Sequence, residues 1–280
     1  MSTDSNSRIT LRTLRQWVRA GKPFPMLTCY DATSARWLMR GGVQCLLVGD
    51  TAAEMIFGHD STLPAKLPLL VELTAAVRRG APDAFVMADM PFGSYQCGDD
   101  EAMKNAMAFL TEGAADVVKL EVDCSFGPLV ERMSRAGIPV VAHLGSRPQQ
   151  VRASGGYRSA GRTPREADEI VAVAEDMIMR GAAMLLLEAV PAEVSQRIVR
   201  LAVSPRGGDP IPVVGCGAGP ACHGHVVVLH DLVGLTNWHP PFVKPVANLG
   251  EQLQQAAGAW AKLIESGRYL VDDHPYKMQK

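Results

Sequence analysis

The sequence has 280 residues, with 28 Lys plus Arg against 29 Asp plus Glu, and this formal net charge of -1 excludes a polycationic nucleic-acid binder and an acidic disordered chain. With 47% hydrophobic and 20% charged residues there is apolar material for a large core, which excludes collagen, coiled coil and disorder. Six cysteines without a C-x-x-C pair, a polar stretch from Met1 to Ile9 lacking the apolar run of a secretory signal, and no run of the roughly 20 apolar residues that span a bilayer point to a cytoplasmic protein with no membrane and no nucleic-acid partner.

A helical start over Leu11 to Ala20 is followed by alternating short β-rich runs and longer segments of helical period. Strands are expected at Pro25 to Tyr30, Cys45 to Gly49, Ala84 to Asp89, Val117 to Val122, Pro139 to Gly145, Ala183 to Val190, Ile211 to Gly215 and Leu232 to Leu235. Helices are expected at Ser34 to Met39, Leu67 to Arg79, Asp100 to Glu112, Pro128 to Ala136, Arg165 to Arg180 and Ala192 to Val203, with a C-terminal helical extension from Asn248 to Ser266. Glycines close most of these helices, as in Arg40-Gly41-Gly42, Arg79-Gly80, Ala136-Gly137 and Arg180-Gly181, a few residues before the next strand. No linker or charge run divides the chain, so the pattern predicts one α/β domain over 1–280, a parallel (β/α)8 TIM barrel with an N-terminal helix. A doubly wound open sheet is the alternative.

Polar residues interrupt these apolar runs mainly at strand ends: Asp31, Asp50, Asp89, Lys119, Glu121, His143 and Glu188. In a barrel those ends converge on one mouth, where barrel active sites are built. Asp31, followed by Ala-Thr-Ser, equally suits a helix N-cap. Lys119 and Glu121 alternate on one strand face and could be a plain internal ion pair. Carboxylates facing one cavity repel unless a cation compensates, and oxygen-only ligation by Asp50, Asp89 and Glu121 suits Mg2+. Glu188, between Leu187 and Ala189, is flanked by apolar residues that raise its proton affinity towards that of a useful base. Gly215-Cys216-Gly217-Ala218-Gly219 could cradle a phosphate at a helix start or be a tight barrel loop. His223 and His225 lie on no predicted strand and read as rim residues.

Taken together, Thr28-Cys29-Tyr30-Asp31, Val48-Gly49-Asp50, Gly58-His59-Asp60-Ser61-Thr62-Leu63-Pro64, Ala88-Asp89-Met90-Pro91-Phe92, Val118-Lys119-Leu120-Glu121, Ala142-His143-Leu144-Gly145, Gly156-Tyr157-Arg158 and Leu187-Glu188-Ala189-Val190-Pro191, with the glycine-rich turn, resemble the ketopantoate hydroxymethyltransferase family in its own order. The resemblance implies a barrel of the phosphoenolpyruvate/pyruvate type, large homo-oligomers (a decamer), Mg2+, and 5,10-methylenetetrahydrofolate as one-carbon donor. It implies Asp50 and Asp89 as metal ligands beside the oxo acid, Glu121 as a further metal-site residue, Thr51, Lys119 and His143 as substrate contacts, and Glu188 as proton acceptor. Departures occur at Thr51 (serine in the family), Ala52-Ala53-Glu54, Val122-Asp123, Ser159-Ala160 and His223-Gly224-His225. The expected reaction is hydroxymethyl transfer to 3-methyl-2-oxobutanoate through a metal-stabilised enolate, giving 2-dehydropantoate. The alternatives are an aldolase or lyase of the same superfamily acting on another 2-oxo acid, and a non-catalytic ligand-binding paralogue.

Overall fold

The structure, a computed structural model, describes residues 8–203, 205, 208–271, 275, 276 and 278, so most of the polar N-terminal stretch lies outside the described residues. The chain divides into two compact units, Met1–Val227 and Val228–Lys280. The first unit is a closed barrel of eight parallel strands in sequence order, β1 (Phe24–Thr28), β2 (Cys45–Val48), β3 (Phe85–Asp89), β4 (Val117–Glu121), β5 (Val140–Gly145), β6 (Met184–Glu188), β7 (Val213–Cys216) and β8 (Gly224–Val227), closed by β8 pairing β1. Its helices are α1 (Leu11–Arg19), α2 (Ala32–Arg40), α3 (Ala52–Met55), α4 (Leu67–Gly80), α5 (Asp99–Thr111), α6 (Gly127–Arg135), α7 (Val151–Ser154), α8 (Pro164–Met179) and α9 (Ala192–Val203). The second unit holds α10 (Leu229–Leu232) and α11 (Leu249–Glu265).

Alternation along the strands builds two apolar layers. Phe24, Met26, Cys45, Leu47, Phe85, Met87, Val117, Val141, Met184, Leu186, Val214 and Val226 form one buried cluster. A cluster drawing on every strand of a closed barrel can only be its interior. Ile9 and Leu14 join it, so α1, capped by Thr10, plugs the end at which the strands begin. The opposite strand faces pack outward under the helices in a larger cluster that includes Leu70, Phe109, Leu120, Leu129, Ala142, Met177, Leu185 and Ile198. Two residues beyond Met87, Val117, Val141 and Leu186 on the interior face stand Asp89, Lys119, His143 and Glu188, so the same period of two converts an apolar floor into a polar mouth.

The last strand corrects the sequence expectation. Leu232 to Leu235 is not a strand: Leu229–Leu232 is the short helix α10, and Gly234 turns the chain with φ 69°. The eighth strand is Gly224–Val227, which carries His225. Four residues beginning with glycine and histidine give too little apolar alternation to be legible, and pairing with β1 and β7 supplies what propensity does not. The glycine-rich turn after β7 accordingly leads into a strand, and provides no helix start for a phosphate. The glycine stops also divide: Gly42, Gly137 and Gly181 are left-handed, whereas Gly80 is required by close approach, because a Cβ there would lie 2.2 Å from the Ala32 carbonyl oxygen. Among the described residues no helix is long and apolar enough to cross a membrane.

Candidate active site

Of the polar residues picked out at strand ends, Asp31 goes to a structural task. Its Oδ1 accepts the N–H groups of Thr33 and Ser34 at 2.8 Å each, capping α2. The others gather at the mouth. Asp89 ends β3, Lys119 and Glu121 lie on β4, His143 on β5 and Glu188 ends β6, while Asp50 follows β2 by two residues. The Asp50 N–H donates to Asp89 Oδ2 at 3.1 Å. Lys119 Nζ lies 3.1 Å from Asp89 Oδ1 and 3.2 Å from His143 Nδ1, and His143 Nε2 lies 3.3 Å from Glu188 Oε2. Side chains of four consecutive strands thus form one polar row from Asp89 to Glu188.

Burial sets the protonation of that row. For Lys119 burial disfavours the charge, but Asp89, Asp50, Glu121 and Glu188 outweigh it and raise its pKa, so the ammonium persists. His143 goes the other way: burial and the neighbouring ammonium hold it well below the usual imidazole value, so it is neutral. An ammonium only donates, so Nδ1 must accept from Lys119 and the ring proton sits on Nε2, towards Glu188. Burial pushes Glu188 up to about 7 and Glu121 up to about 8, with Lys119 opposing in both cases. Burial likewise lifts Asp89 against the lowering effect of Lys119. The Glu188 side chain is 23% exposed while that of His143 is 1% exposed, so within this pair the glutamate meets an incoming molecule.

Backbone geometry aims Glu188. Ala189 is held at φ 48°, an unfavourable left-handed conformation for a residue with a side chain, and its N–H is tied to the Cys216 carbonyl at 2.9 Å. Across the strand pair, Gly145 has φ 98°, and a Cβ there would approach the Glu188 carbonyl oxygen to 2.3 Å.

Two residues that the sequence reading passed over complete the site. Gln149, in the 3-10 turn Pro148–Gln150 after β5, is buried and bonds the carboxylates of both Asp50 and Glu121. Tyr95 donates to Gln149 Oε1 at 2.8 Å and its hydroxyl takes the Glu121 N–H at 3.1 Å. Neither carried a signal, since Gln149 lies in the polar run Ser146-Arg147-Pro148-Gln149-Gln150 and Tyr95 in a loop.

Among the described residues no ready-made cluster of three or more His, Cys, Asp and Glu side chains is arranged to hold a metal ion. The donor chemistry of one pair nevertheless fits a hard cation. Asp50 and Asp89 are buried and offer only oxygen, and Asp89 Oδ1 faces the Lys119 ammonium at 3.1 Å. Glu121, on the next strand, has both carboxylate oxygens engaged by the Gln149 N–H, at 3.1 and 3.2 Å.

The departures from the family pattern are absorbed locally. Thr51 Oγ1 lies 2.6 Å from the Tyr30 hydroxyl. Glu54 accepts from the Tyr157 hydroxyl at 2.9 Å, Asp123 pairs with Arg147 at 2.9 Å, and Ala160 donates its N–H to the Ala189 carbonyl at 3.0 Å. His223 Nδ1 accepts the Val213 N–H at 3.0 Å, so this ring braces the β7–β8 turn, while His225 is exposed on β8.

The chain is similar to known proteins over nearly its whole length. The sequence profile of the ketopantoate hydroxymethyltransferase family matches residues 8–270. The 3-methyl-2-oxobutanoate hydroxymethyltransferase of Thermobifida fusca is 40% identical over 97% of this chain and 95% of its own. The enzyme of the same name from Syntrophus aciditrophicus is 39% identical over 99% of this chain and 100% of its own. Among solved structures, a 2,3-dimethylmalate lyase of the PEP mutase/isocitrate lyase superfamily superposes with a TM-score of 0.59 at 17% identity, over 96% of this chain and 92% of its own. A phosphoenolpyruvate phosphomutase from Streptomyces platensis gives 0.61 at 14% identity, over 96% and 92%. These two likenesses speak for the barrel alone.

Proposed function

The chain belongs to the ketopantoate hydroxymethyltransferase family, and from that membership we propose that it transfers a hydroxymethyl group from 5,10-methylenetetrahydrofolate to 3-methyl-2-oxobutanoate, giving 2-dehydropantoate for pantothenate biosynthesis. The observation that carries the chemistry is the polar row Asp89, Lys119, His143, Glu188, with contacts of 3.1, 3.2 and 3.3 Å. It presents a base of near-neutral proton affinity at its accessible end and a permanent cation in its middle.

In this reading Glu188 removes the C3 proton of the oxo acid, and a pKa of about 7 suits a base working at neutral pH. Neutral His143 carries its proton on Nε2, 3.3 Å from Glu188 Oε2, without a hydrogen bond to it in this structure. Lys119 offsets the negative charge that grows on the substrate once the proton has left. C3 then bonds to the methylene carbon of the folate, both bonds from that carbon to nitrogen break, water supplies the hydroxyl oxygen, and the proton from C3 and one from water end on the two folate nitrogens. Thr51, beside Asp50, is a substrate contact. Asp50 and Asp89 would hold Mg2+, with Glu121 in support, and the ion when bound supplies Lewis-acid polarisation of the oxo acid carbonyl.

The same reading takes 1–280 as one functional domain acting in the cytoplasm as a homo-oligomer. Exposed Leu249, Leu253, Trp260 and Ile264 on one face of α11 support the assembly. The test is a product assay with 3-methyl-2-oxobutanoate, with methylenetetrahydrofolate or free formaldehyde, and with or without divalent metal. Formation of 2-dehydropantoate dependent on folate and metal is expected. Preference for another oxo acid or for free aldehyde would replace this reading by an aldolase.

A further inference from the structure

We propose that Gln149 is a positioning residue that sets how the Asp50 carboxylate faces the cation site, an inference resting on the metal reading of Asp50 and Asp89 above. The first ground is chemical complementarity. Gln149 Nε2 faces two acceptors, Asp50 Oδ2 at 2.9 Å and the Met90 carbonyl at 3.0 Å. Its Oε1 faces two donors, the Tyr95 hydroxyl at 2.8 Å and Gln96 Nε2 at 3.3 Å. Acceptors on one side and donors on the other permit a single amide orientation. The second ground is placement. Gln149 is 4% exposed, and its own N–H bonds both oxygens of Glu121, so one buried residue grips one carboxylate with its side chain and another with its backbone.

The two grips separate under mutation. Substituting the side chain leaves the backbone bond to Glu121 available and removes the one to Asp50. Asp50 Oδ2 then loses the donor that satisfies it, while Oδ1 is the oxygen that Gln149 never held. Glutamate at this position would set a further carboxyl group against Asp50 Oδ2 and the Met90 carbonyl. Methionine would keep the bulk and lose the donor. Partners that orient a ligating side chain typically change metal affinity by about 10–100-fold when removed.

The experiment is a titration of the purified full chain with MnCl2, followed by electron paramagnetic resonance, in wild type and in Gln149→Met, beside thermal unfolding without metal. An increase of roughly 10-fold or more in the Mn2+ Kd is expected, with turnover returning towards the wild-type value at saturating metal. A lowered unfolding temperature with the Kd unchanged would reduce Gln149 to a packing residue and overturn the inference. Should the methionine variant not fold, Gln149→Glu keeps the shape, and an unchanged or tighter Kd in it would overturn the inference equally. Absence of Mn2+ binding in wild type would remove the metal reading itself, an outcome distinct from equal binding by wild type and variant.

Discussion

At Glu188 the environment decides the chemistry. A carboxyl held at about 7 by burial is protonated in acid and becomes a base as the pH rises through neutrality. Deuterium exchange at C3 of 3-methyl-2-oxobutanoate is therefore expected to climb between about pH 6 and 8 and then level off. Glu188→Gln should lower it by on the order of 10^2- to 10^4-fold, and full exchange in that variant would take the base role away from Glu188. Stability has the opposite sign. Glu188 at about 7 and Glu121 at about 8 bind their protons more tightly folded than unfolded. Their contribution is full below the ordinary carboxylate value of 4.5 and is lost by the time the pH has risen through about 7 and about 8, so without divalent metal the unfolding temperature should fall from about pH 5 to about pH 8 and level off above. The residues of this row were legible in the sequence because each is a polar interruption of an apolar strand. Gln149 and Tyr95 were not, because a polar side chain in a polar loop contrasts with nothing around it.

Individual elements owe their places to contacts at both barrel ends. At the end where the strands begin, Arg78 on α4 donates to the carbonyls of Ala114 at 3.0 Å and Ala84 at 2.6 Å and to Asp116 Oδ2 at 2.6 Å, and that same oxygen accepts the Val86 N–H at 2.8 Å. One guanidinium thus joins a helix to the starts of β3 and β4. With Arg78 only 11% exposed, removing it leaves buried acceptors without donors. Arg78→Met should cost roughly 3 kcal/mol in denaturant unfolding, with C3 exchange by the folded fraction unchanged. A loss of exchange at equal stability would mean that the two barrel ends are coupled. Most strands were readable from period-two apolar runs bounded by glycine. β8 was not, since its four residues hold together by pairing with β1 and β7 and the misassigned Leu232 to Leu235 segment is merely apolar.

For the whole molecule, the polar row lies entirely within the barrel unit, Met1–Val227. The second unit contributes α11, where Leu249, Leu253, Trp260 and Ile264 share one exposed face. In the proposed homo-oligomer this apolar stripe would be the face covered by a neighbouring copy. Light scattering at micromolar concentration should give a multiple of the 30.1 kDa chain, and Leu253→Lys should shift it to smaller species. A monomer in wild type would sink this reading. The sequence by itself determined a parallel α/β pattern of strands and helices, with a doubly wound sheet still open beside the barrel, because alternation and helical period are properties of neighbours along the chain; closure of β8 on β1 decided for the barrel. It also nominated Asp50, Asp89, Lys119, Glu121, His143 and Glu188. Only the tertiary structure decided which of their atoms meet, which imidazole nitrogen keeps its proton, and that Gln149 reaches across 99 residues to Asp50. Desolvation and hydrogen-bond direction depend on groups brought together by barrel closure, and no local pattern records them.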